Sequence, residues 1–124
     1  MNTKLETVEV GTTVRDAVKK MVKKDIGSVL ITKEGNPVGI ITERDILRKL
    51  VSPTDTLDRS VEDMMSSPLV TVRPLATLGE AAELMVQKKI RRLPVKDGEK
   101  IVGIVTQRDL QRALMETFNS LLLT

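Results

Sequence analysis

GIITERDI (residues 39–46) and GIVTQRDL (residues 103–110) are one octapeptide pattern written twice, at an offset of 64. In both, glycine and two branched apolar residues give way to Thr-x-Arg-Asp, the pattern of a strand handing over to a helix whose first residue is capped by a hydroxyl. Working outward, residues 14–46 lie on residues 78–110 without a gap, and 11 of the 33 positions are identical. They include Ala17/Ala81, Met21/Met85, Ile26/Ile90, Val38/Val102, Thr42/Thr106, Arg44/Arg108 and Asp45/Asp109. A period of this size means two copies of one supersecondary unit.

The same elements recur in each copy. A short strand (Thr7–Val10; Leu69–Val72) precedes a helix whose start carries Thr13 with Asp16, or Thr77 with Glu80, at capping-box spacing. On the first helix Val14, Ala17, Val18, Met21 and Val22 fall on one face, and Lys19, Lys20, Lys23 and Lys24 on the other. A strand near Ser28–Thr32 (Leu93–Lys96), a turn at EGNP or DGEK, and a strand Val38–Ile41 (Ile101–Val105) then form a hairpin. A second helix starts at Thr42 or Thr106. The fold class is therefore α/β, two tandem β-α-β-β-α units of about 60 residues, each too small for a comfortable core alone. They are expected to pack sheet against sheet. The boundary falls at residue 60, giving a first unit over 1–60 and a second over 61–124. Polar SPTDTLDRS (52–60) reads as the link. Met64 and Met65 read as core filler where the units meet. The last helix continues with Leu110, Leu114, Phe118, Leu121 and Leu122 at helical spacing, a stripe for a second subunit or for its own domain.

Composition removes whole classes of chemistry. The 124 residues contain no Cys and no His, which excludes disulfides, thiolate metal sites, a thiol nucleophile and the commonest general base. With one Phe and neither Trp nor Tyr, stacking on single-stranded nucleic acid has almost no platform. The net charge of +3 divides as +1 for residues 1–62 and +2 for 63–124, too even for a DNA-binding footprint. No apolar run approaches the length of a membrane span, and MNTKLETVEV has no signal-peptide core, so the expected location is the cytoplasm. No nucleophile–base pair or metal-ligand cluster emerges, so no catalytic residue, metal or cofactor is assigned and an enzyme is not expected.

At GIITERDI and GIVTQRDL the chain resembles the CBS domain family, whose units end in a strand of this form. KKDIGSVLIT, KKIRRLPVKD and VEDMMSSPLVTVRP extend the resemblance over essentially the whole chain, in two copies. It implies a tandem CBS pair (a Bateman module) related by pseudo-twofold symmetry, forming a homodimer and binding adenosine-containing nucleotides such as AMP, ADP, ATP or S-adenosylmethionine. At each junction the first helical amides favour an anion, Arg44 or Arg108 offers a charged fork for phosphate, and Asp45 or Asp109 can accept from a ribose diol. With no aromatic rings, a base would lie between aliphatic groups, with Ile26, Val29, Ile90, Leu93 and Met65 as candidates.

By position, the resemblance implies one cleft from Ile26, Gly27 and Ser28 with Arg91 or Arg92, Ile104, Thr106, Arg108 and Asp109. The other combines Val61, Ile90 and Arg91 with Gly27 or Ser28, Thr42, Arg44 and Asp45. Because Arg91 and Arg92 stand where the first copy has Gly27 and Ser28, the cleft ending in Asp109 is expected to be the better occupied. Thr-x-x-Asp is equally the spacing of a capping box, and spacing alone leaves both roles open. The alternatives to a nucleotide sensor are a nucleic-acid-binding protein using the lysine-rich faces and a purely structural dimerisation module. A lysine-rich helical face is more often simply solvated.

Overall fold

The computed structural model describes residues 2–50 and 52–122. The chain divides into two compact units, Leu5–Leu69 and Val70–Thr124, the latter together with Met1–Lys4.

The first unit runs β1 (Thr7–Glu9), α1 (Val14–Lys24), β2 (Ser28–Lys33), β3 (Asn36–Thr42), α2 (Glu43–Arg48) and α3 (Pro53–Asp58), then a 3-10 turn at Val61–Asp63. Its sheet has the order β1-β2-β3. β1 and β2 are parallel, joined by α1 as the crossover, and β2 and β3 form an antiparallel hairpin. The hairpin turn places Glu34 (φ 52°) and Gly35 (φ 82°) in the left-handed region, the backbone that follows the twist of the flanking strands. α1 starts where the Thr13 hydroxyl accepts from the Asp16 amide at 3.2 Å and ends at Asp25 with φ 52°. Val14, Ala17 and Met21 of α1 pack with Val29, Ile31, Ile41, Val61 and Met64 in one core.

The second unit repeats the plan with α4 (Leu78–Lys88), β4 (Arg92–Asp97), β5 (Lys100–Thr106) and α5 (Gln107–Leu122). Ala81, Met85 and Leu93 form its core, with Val70, Val72, Ile90, Val105 and Leu110 against them. The first strand expected here is reduced to one parallel bridge, Val72 with Val95. Two prolines account for the loss. In the first unit Leu30 donates to the Glu6 carbonyl and Val10 to that of Thr32. The residues 64 positions on are Pro94 and Pro74, which have no N–H to give.

Three further expectations are corrected. SPTDTLDRS is no simple link, because it contains α3, capped by the Ser52 hydroxyl accepting from Asp55 with Pro53 in the first turn, and it buries Thr56 to 1% exposure. Val22, placed on the buried face of α1, is 75% exposed, and its repeat mate Val86 is 78% exposed. Each lies about 100° round its helix from the buried methionine before it, at the edge of the apolar stripe. The first unit's packing also runs past residue 60, because Val61 and Met64 are fully buried in its core.

The edges of the two units are closed by chain leading toward the other repeat. Ser66 pairs antiparallel with Ile40 on β3, and Asn2 pairs antiparallel with Ile104 on β5. These are equivalent positions at the 64-residue offset. Gly39 permits the first approach, since a Cβ there would stand 2.6 Å from the Met65 Sδ and 2.9 Å from the Ser66 carbonyl oxygen.

Candidate functional site

Each unit has one strand-to-helix junction of identical build. At the first, the Thr42 amide donates to Asp45 Oδ2 at 3.0 Å and the Asp45 amide to Thr42 Oγ1 at 3.1 Å. At the second, the Thr106 amide donates to Asp109 Oδ2 at 2.9 Å and the Asp109 amide to Thr106 Oγ1 at 3.1 Å. Both Thr/Asp pairs are therefore complete capping boxes, as their spacing allowed. A carboxylate has about four acceptor positions on two oxygens, so this role commits only part of each Asp.

The preceding strand backs onto the same junction. Glu43 donates to the Gly27 carbonyl at 3.0 Å and Gln107 to the Arg91 carbonyl at 2.8 Å. Ser28 pairs across the hairpin with Thr42, and Arg92 with Thr106. Within the first unit the structure thus gathers Gly27, Ser28, Thr42 and Asp45. Within the second it gathers Arg91, Arg92, Thr106 and Asp109. Two of the first-turn amides in each helix are already spent, so the helix start offers an anion less than its bare backbone would. In the second unit the remaining first-turn donor is the amide of Arg108, whose own side chain lies on an exposed turn.

The remaining oxygen of each Asp is treated differently. Asp45 Oδ1 accepts from the Ser66 hydroxyl at 3.4 Å. Among the described residues, Asp109 Oδ1 accepts none. Burial raises the pKa of Asp109, but hydrogen bonding to the Thr106 backbone and side chain and the positive charges of the N-terminus and Arg112 outweigh it, leaving the carboxyl below the ordinary value of 3.8. It is an anion at neutral pH.

The other candidates differ in burial and bonding. Val61, expected at a ligand site, is fully buried in the first unit's core, and its amide donates to the Thr12 carbonyl. Val29 and Leu93, considered as walls for a base, are also at 0% exposure. Ile104 is 8% exposed with both backbone groups bonded to Asn2. Ile26, Ile90 and Arg44 are half-buried. Met65 packs on the first core, beside Gly39. Lys20 is not simply solvated, since its ammonium donates to the Thr7 carbonyl at 2.7 Å and pairs with Glu6 at 3.5 Å. Ser66 and Asn2 were missed because they precede the aligned window, although the same offset relates them.

Comparison with known proteins places this geometry in a family. The CBS domain model matches residues 1–52 and 61–116. An uncharacterized protein of Methanopyrus kandleri, MK0525, is 48% identical over 94 residues, 73% of this chain and 48% of that one. The CBS domain-containing protein YhcV of Bacillus subtilis is 34% identical over 110 residues, 89% of this chain and 79% of that one. Among solved structures, a hexameric CBS-CP12 protein from bloom-forming cyanobacteria matches with a TM-score of 0.81 at 32% identity, over 90% of this chain and 66% of that one. The CBS domain pair of protein MJ0100, in complex with 5′-methylthioadenosine and S-adenosyl-L-methionine, matches with a TM-score of 0.78 at 28% identity, over 91% of this chain and 90% of that one. CBS pairs are regulatory modules, and among the described residues no helix is long and apolar enough to cross a membrane. With two family-model matches over its two repeats, this chain belongs to the CBS domain family.

Proposed function

We propose that the chain is a regulatory module that takes an adenosine-containing ligand at its strand-to-helix junctions and reports its level to a protein partner. The observation that carries the reading is the Asp109 junction. There, a carboxylate held anionic and fixed by its capping box keeps one oxygen without a partner among the described residues. Arg108 follows Gln107 in the first turn of the same helix, Arg92 pairs with Thr106 from the adjoining strand, and Arg91 just before that strand accepts from the Gln107 amide. A ribose diol matches the acceptor, and phosphate or another anion matches the guanidinium groups. The adenosine compounds bound by the MJ0100 pair support the same ligand class.

Isothermal titration and thermal melting with AMP, ATP and S-adenosylmethionine test it. A ligand at 100 times its Kd stabilises the fold that binds it by about 2.7 kcal/mol, which a melt of a domain this size resolves. Absence of both heat and thermal shift at millimolar concentrations of all three would overturn the reading.

A second reading, self-association, is favoured by α5. None of its residues is buried, and Leu114, Phe118 and Leu121 are 44%, 50% and 66% exposed along one helix. An apolar stripe of this kind suits a homodimer built through the helices. Dimerisation and ligand binding are compatible functions.

A further inference from the structure

We propose that the residue carried on the outer edge of each unit's last strand, Ser66 beside Asp45 and Asn2 beside Asp109, sets how readily that junction accepts a sugar diol. The proposal rests on the adenosine reading above and adds the residues that make the two junctions unequal.

The two positions share a backbone setting. Ser66 and Ile40 exchange hydrogen bonds at 2.8 and 3.2 Å, and Asn2 and Ile104 exchange them at 3.0 and 2.9 Å. Residues 2 and 66, 40 and 104, and 45 and 109 are all related by the same offset of 64, so each edge residue pairs at the same register of the strand that leads to its aspartate. What differs is the side chain. The Ser66 hydroxyl donates to Asp45 Oδ1 at 3.4 Å, and its backbone pairing with β3 keeps it there. Asn2 instead directs its side-chain carbonyl back into its own segment, where Oδ1 accepts from the Lys4 amide at 2.9 Å. Asn2 thus presents no hydroxyl to Asp109. A diol arriving at Asp45 must displace the Ser66 hydroxyl, whereas one arriving at Asp109 meets no donor from the edge residue's side chain.

The sequence difference expected to separate the junctions was Gly27 and Ser28 against Arg91 and Arg92. The edge residue is a separate determinant, and it acts on the carboxylate itself.

The test is a two-dimensional NMR titration of the full chain with AMP, following the amides of 42–45 and 106–109 in the wild type, Ser66→Ala and Asn2→Ser. The wild type should respond at 106–109 at lower AMP than at 42–45. Asn2→Ser should raise the midpoint at 106–109, and Ser66→Ala lower that at 42–45, each by about five- to tenfold, the size of one net hydrogen bond. With 2′,3′-dideoxyadenosine monophosphate both differences should vanish, which a merely structural effect of the substitutions would not produce. If AMP binds but neither substitution moves its midpoint, the edge-residue proposal is wrong and the nucleotide reading stands. If AMP shifts neither set of amides in any of the three proteins, the nucleotide reading itself fails and this proposal with it.

Discussion

Asp109 does two jobs that pull on one side chain. Its Oδ2 closes the capping box with Thr106, and its negative charge is stabilised there, so the folded state prefers the ionised form more than the unfolded chain does. The sign follows. A carboxyl whose pKa is lowered on folding contributes stability that is fully present above the unfolded value near 3.8 and is lost as pH falls through the folded value. Asp109→Ala should therefore destabilise the protein by about 0.5–2 kcal/mol at pH 7, as loss of a cap does, and the deficit should shrink below about pH 3.8. Urea denaturation of both proteins across pH 3 to 7 measures it, and a deficit independent of pH would show that the charge plays no part in the cap. The Arg108 side chain is exposed and makes no ion pair among the described residues. Replacing it should leave stability within about 0.5 kcal/mol of wild type, because surface charges away from caps and cores contribute little.

At the scale of elements, the glycine of each octapeptide was legible in the sequence only as part of a pattern. The structure gives Gly39 its reason. It sits on β3 where the 65–66 segment crosses close enough for the Ile40–Ser66 pairing, and the nearest obstacle to a side chain is partly backbone. Methionine can move aside, but the Ser66 carbonyl cannot without surrendering its bond from Ile40. Gly39→Ala should cost about 1–3 kcal/mol in chemical denaturation through overpacking, with loss of amide protection at Ile40 and Ser66. An unchanged midpoint would mean that the segment slides at no cost. α3 is the opposite case. Ser-Pro-Thr-Asp carries a cap, a first-turn proline and an acidic third position, a helix start readable from the sequence. Polarity alone made it look like a link.

At the scale of the whole molecule, the exposed stripe of α5 is what the described residues leave unsatisfied. Leu110 at its base packs against the second core, while Leu114, Phe118 and Leu121 further along stay open to water. Sedimentation velocity should find a dimer at micromolar concentration, and Leu114→Glu with Phe118→Glu should return it to monomer with an intact fold by circular dichroism. A wild-type monomer at 100 μM would remove α5 as an assembly surface.

The sequence by itself determined the doubled α-β-β-α plan, its hairpins and the Thr/Asp caps, because each depends on residues near in sequence: alternation, a turn, a hydroxyl three positions from a carboxylate. Packing decided the rest. Only the folded chain showed that Val61 and Met64 belong to the first core and that Pro74 and Pro94 strip the second unit's leading strand of its donors. It also showed that Ser66 and Asn2 close the two sheets differently. Those outcomes depend on contacts between residues far apart along the chain, which a local reading does not bring together.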